Sequence, residues 1–96
     1  MNSDDKERVT FKEKYESIDT WQDKAVLISL YHTAMCLKYK TWTLTDTAQH
    51  FGVSIGLVSE NIRLAKAIDG PNGIRIMKCE TREKALKLIK WSSYAY

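Results

Sequence analysis

The sequence predicts an all-α domain, a compact bundle of about five to six helices, and three observations carry that expectation. Glycine and proline number only four and one, so few residues interrupt a helix. Apolar residues recur at intervals of three and four along most of the chain, the spacing of a buried helical stripe. Thr20, Thr43, Ser54 and Thr81 each stand just before such a pattern, where a hydroxyl can accept from an otherwise unpaired helix amide. Ninety-six residues give room for a single core. Residues 10–96 are therefore expected to form one domain behind a flexible tail, residues 1–9.

The elements follow in order. Thr10 and Glu13 have capping-box spacing, and Phe11, Tyr15 and Ile18 make the apolar side of a short first helix. A longer second helix starts at Thr20, with Asp23 in its first turn, and runs to about Lys38. Trp21, Ala25, Leu27, Ile28, Leu30, Tyr31, Ala34, Met35 and Leu37 give it a broad apolar surface, so it is expected to organise the core. Thr43 caps a third helix, "LTDTAQHF", which Gly52 breaks; Ser54 caps a fourth, "IGLVSENIRLAKAI", which ends before the turn signal "DGPNG". "IRIMKC" fits a strand or a short helix, and without a second strand to pair with, a helix is expected. Thr81 caps a last helix, "REKALKLIKW", whose Ala85, Leu86, Leu88 and Ile89 return to the core. The aromatics of "WSSYAY" either dock on the domain or mark the cut edge of a longer protein.

Composition limits the function classes. The longest apolar run, "AVLISL", falls far short of the roughly 20 residues a bilayer helix needs. "MNSDDKERVT" lacks the apolar centre of a secretory signal. Cys36 and Cys79, without Cys-x-x-Cys spacing, read as reduced thiols, and a cytoplasmic protein is expected. Residues 71–96 hold six basic and two acidic side chains, against four and six in residues 1–20, so the positive end of the chain suits phosphates. No glycine-rich phosphate loop, paired carboxylates or nucleophile with a nearby base appears, so neither catalysis nor a cofactor is expected. His32 and Cys36 lie four apart on a helix, and His50 and Cys79 could complete a set of four ligands, but without a compact ligand signature Cys36 reads as core and no metal is expected. His50 is placed on the exposed side of the third helix, and Trp42 is placed to brace the start of that helix near Leu44.

Residues 43–68 carry the functional signal. Counting from Leu44, Ala48 is fifth, Gly52 ninth, Val53 tenth and Val58 fifteenth, the arrangement of a DNA-binding helix-turn-helix. Ala48 leaves room for a crossing helix, Gly52 supplies the positive φ of a tight corner, and Phe51, Val53 and Val58 close the wedge. At 100° per residue, Gly56, Ser59, Glu60, Arg63 and Lys66 gather on one side of the fourth helix. Leu57, Val58, Ile62, Leu64, Ala65 and Ile68 occupy the other, with Asn61 among them. The polar side is expected in the major groove of double-stranded DNA. There Ser54 and Ser59 meet phosphates or base edges, and Gly56 permits close approach. Ile55 meets a thymine methyl, Glu60 accepts from cytosine N4 or pairs with Arg63, and Arg63 reaches guanine or a phosphate. Lys66, Thr43 and Thr45 are expected on the backbone.

These residues, "TLTDTAQHFGVS" and "VSENIRLA", with the later "TREKALKLI", resemble the helix-turn-helix domain of the ParB and KorB group of phage, plasmid and chromosomal DNA-binding proteins, over roughly residues 42–89. The resemblance implies sequence-specific DNA binding, as a transcriptional regulator or as the module that recognises origin or centromere repeats in replication or partition. Such a protein would act on the nucleoid. Two positions depart from the pattern: Asn61 and Thr47 stand where apolar residues are usual, and the arginine-rich nucleotide-binding motif of partition proteins is absent. Either a homodimer, with half-sites about 34 Å apart, or repeated copies on adjacent sites is compatible with one small unit. The alternative reading is an adaptor that uses the helical bundle to bind a protein partner.

Overall fold

The computed structural model describes residues 11–94, with side chains through Lys90. Expectations for the tail, the Thr10 cap and the side chains of the terminal aromatics fall outside the described residues. Among these residues the fold is all-α: α1 (residues 11–17), α2 (Trp21–Lys38), α3 (Leu44–Phe51), α4 (Ile55–Ile68), α5 (Gly73–Met77) and α6 (Arg82–Tyr94). No described helix is long and apolar enough to cross a membrane.

Local chemistry sets the boundaries. Thr20 Oγ1 accepts from the Asp23 amide at 3.4 Å to start α2. Thr43 and Asp46 form a reciprocal capping box at α3, with the Thr43 amide donating to Asp46 Oδ2 at 2.9 Å. Gly52 ends α3 at φ 70° and ψ 35°, the left-handed conformation that glycine adopts without a Cβ penalty. Ser54 Oγ accepts from the Leu57 amide at 3.1 Å, and Thr81 Oγ1 from the Lys84 amide at 3.2 Å, to start α4 and α6. "IRIMKC" is helical through Met77, as expected. Gly73 is obligatory there, because a Cβ would overlap the Ile68 carbonyl where the chain folds back on the end of α4.

Helices α2 and α4 run through two apolar clusters and join them. Ile28, Tyr31 and Met35 of α2 meet Ala48 and Phe51 of α3 and Val58 of α4, with Phe11, Tyr15 and Trp42 packed around them. Further along, Ala25 and Leu64 meet Ile76 of α5 and Ala85 of α6, flanked by Trp21, Leu86, Leu88 and Ile89. Val58 and Leu64 are fully buried, each contributing about 2 kcal/mol of apolar transfer free energy to hold α4 down along its length. A polar latch reinforces the second cluster: Trp21 Nε1 donates to the Cys79 carbonyl at 2.9 Å, and Gln22 Nε2 to the Met77 carbonyl at 2.8 Å.

The broad apolar surface of α2 is buried along the Ala25, Ile28, Tyr31 and Met35 stripe, with Trp21 packed against the second cluster, while Leu30 is 59% and Leu37 84% exposed. The structure corrects two expectations. Cys36 is exposed rather than core, since it lies one residue past the last buried position of that stripe. His50 is not an exposed residue; it is partly buried, with its ring stacked on Tyr31 at 4.4 Å between centroids.

Candidate nucleic-acid interface

The candidate surface consists of the α3–α4 corner and the outward side of α4. Its geometry begins with the three residues 52–54 between the helices. Gly52 reverses the chain, and the Val53 amide donates to the Ala48 carbonyl at 3.0 Å, so the corner is closed by α3 itself. Ala48, Phe51 and Val58 are buried beneath it and Val53 is partly buried, as the spacing predicts.

Thr47 stiffens the unit from behind. It is fully buried, and its hydroxyl accepts from Trp42 Nε1 at 2.8 Å while lying 2.7 Å from His32 Nδ1. The hydroxyl bridges the indole and the imidazole, and on the other side of the ring His32 Nε2 lies 3.4 Å from Cys36 Sγ. Burial holds His32 below its ordinary value of 6.5, which favours the neutral ring. The chain of contacts ties α3 to α2. Asn61, the other departure from the apolar pattern, is also buried, but its Oδ1 has no hydrogen-bond partner among the described residues.

On the outward side, Ile55, Gly56, Arg63 and Lys66 are exposed, and Ser59 and Glu60 are partly exposed. Among the described residues no ion pair or side-chain hydrogen bond engages Arg63 or Lys66. Gly56 is informative. A Cβ there would approach nothing closer than Ser54 Oγ at 4.0 Å, so the fold does not require glycine at this helical position. Glycine in a helix is unfavourable by about 0.5–1 kcal/mol relative to alanine. The missing side chain serves no internal contact.

The hydroxyls divide by availability. Ser54 Oγ accepts from its cap amide and keeps its proton for an external acceptor, at the positive end of α4. Thr45 is exposed without a partner among the described residues, whereas the Thr43 hydroxyl already donates to Asp46 Oδ2 at 3.0 Å and is committed to the cap. Glu60 has a partner that sequence reasoning missed. Its Oε1 accepts from Arg82 Nη1 of α6 at 2.8 Å, not from Arg63. A separation of 22 residues leaves no local signal for that pair.

The structure does not assemble the four candidate metal ligands. His32 and Cys36 touch, but His50 stacks on Tyr31 and Cys79 packs with the second cluster. Compared with protein-family models, curated proteins and solved structures, the chain matches none.

Proposed function

We propose that this domain binds double-stranded DNA by sequence, with α3 and α4 as a helix-turn-helix and α4 as the recognition helix. The observation that carries the reading is the outward side of α4: Ile55, Gly56, Arg63 and Lys66 lie exposed after a positive-φ corner, with both cations unpaired among the described residues and a glycine that no contact within them needs. An α-helix presented this way fits the major groove, where Arg63 meets guanine O6 and N7 or a phosphate and Ile55 a thymine methyl. Ser54 and Thr45 hold phosphates, Ser59 stands beside them, and Lys66 adds a backbone contact. Thr43 supports Thr45 by fixing the start of α3. The resemblance to the ParB and KorB group supports a role in transcriptional regulation or in recognition of phage or plasmid origin or centromere repeats, as a homodimer or as repeated copies.

Selection from a random duplex pool at several salt concentrations tests this. One enriched motif with salt-sensitive affinity is expected, and Arg63→Ala costs about 1–3 kcal/mol and relaxes one base position. A pool without enrichment, or an Arg63→Ala protein that selects the same motif with the same affinity, contradicts the proposal.

A second reading, a protein-interaction adaptor, draws on the outward stripe of α2, where Val26, Leu30 and Leu37 are exposed. Under that reading Leu30→Lys abolishes partner binding and Arg63→Ala leaves it intact.

A further inference from the structure

We propose that Arg82 belongs to the DNA-contacting surface as a phosphate-binding residue, and that Glu60 positions it rather than reading a base. This rests on the DNA-binding reading of α4. The Arg82–Glu60 contact, 2.8 Å long, joins the first residue of α6 to the polar side of α4, three positions before Arg63. The two side chains are 25% and 42% exposed, so the pair lies at the surface flanking the recognition face.

A guanidinium carries five N–H donors in a rigid fork, and Glu60 occupies one nitrogen. The other terminal nitrogen, Nη2, lies 3.9 Å from Glu83 Oε1, at the limit of an ion pair. The fork therefore retains donors for a phosphate oxygen. Its orientation is set by Glu60 on α4. Its charge also acts on Tyr15 of α1: burial raises the Tyr15 hydroxyl above 10.0, and Arg82 opposes that shift. The ion pair ties α6 to α4 and limits the freedom of the guanidinium before DNA arrives.

Charge explains why the acid is tolerated there. An unpaired carboxylate on a groove-facing helix repels the phosphate chains on both sides. Paired with Arg82, Glu60 adds no net charge, and it holds one guanidinium nitrogen while leaving the other donors to a phosphate. An oxygen accepting from Arg82 is also less available to cytosine N4, the base contact that residue type otherwise makes. Glu60 is then a positioning residue, and the base-reading set on α4 contracts to Ile55, Gly56 and Arg63.

The test uses the full chain with Arg82→Gln, Arg82→Lys, Glu60→Gln and the Arg82→Gln/Glu60→Gln double variant. Each is titrated against the enriched duplex and an unrelated duplex across a salt series, with helix content and thermal unfolding recorded alongside. Arg82→Gln weakens both duplexes alike, by about tenfold, and reduces the salt slope by about one. Arg82→Lys, which keeps the charge, restores most of the slope. Glu60→Gln weakens binding in the same direction, leaves the selected motif unchanged, and adds nothing in the Arg82→Gln background. A Glu60→Gln protein that relaxes one base position, or binds all DNA more tightly, overturns the assignment. So does an Arg82→Gln protein with an unchanged salt slope. Wild-type protein that binds neither duplex sinks the parent reading instead, so the two failures are separable.

Discussion

Replacing Gly56 with alanine is expected to make the protein more stable and worse at binding DNA. The added Cβ projects into open space, its nearest heavy neighbour being Ser54 Oγ at 4.0 Å, so no packing is disturbed. Alanine removes the backbone-entropy cost of glycine, worth about 0.5–1 kcal/mol in a helix interior. Gly56 is the second residue of α4, where fraying reduces the effect, and about 0.5 kcal/mol is expected. For a domain of this size that raises the Tm by about 2–4 °C. Against the enriched duplex the same methyl separates backbone from groove and costs about tenfold in affinity or more, because a contact made at van der Waals distance does not tolerate an added carbon. Thermal unfolding and duplex titration on one preparation read both effects. A Gly56→Ala protein that is destabilised refutes the reading of the open space, and one that is stabilised but binds equally well refutes the close approach.

Other expectations concern the support of the unit. Thr47→Val keeps the side-chain shape but leaves the Trp42 Nε1–H without its acceptor, and should cost about 2 kcal/mol, read as a lower denaturation midpoint; an unchanged midpoint would show that the hydroxyl contributes nothing. Asn61→Leu removes a buried, unpartnered amide oxygen and should raise stability by about 1–2 kcal/mol in the same assay. Burial lowers the folded-state pKa of His32, so above 6.5 its contribution is fully present, and it is lost as pH falls because the unfolded chain binds the proton more readily. Midpoints measured from pH 7.5 to about pH 5 should therefore fall less in His32→Gln than in the wild type.

How far the chain could be read in advance depended on how local the determining interaction was. Caps act within three residues, and Thr20, Thr43, Ser54 and Thr81 each mark a helix start where the pattern places it. Gly52 is equally local, since its positive φ is a property of one residue. Periodicity fails on α2 because apolar residues surround most of its circumference, and only the neighbouring helices decide that Met35 is buried and Leu37 is not. For the same reason Cys36 and His50 exchanged their expected environments. Thr47 and Asn61 stood out as polar residues at apolar positions, yet nothing in the sequence told them apart. One found partners 5 and 15 residues away, and the oxygen of the other found none. The Glu60–Arg82 pair depends on how α6 returns to α4, which no local spacing encodes.

The central claim is that DNA meets the outward side of α4. Amide shift mapping of isotope-labelled protein, titrated with duplex DNA, tests it most directly. Residues 54–66 and Thr45 should move together and saturate, while Val26, Leu30 and Leu37 on the outward side of α2 stay still. Perturbation concentrated on α2, with α4 silent, would contradict the account.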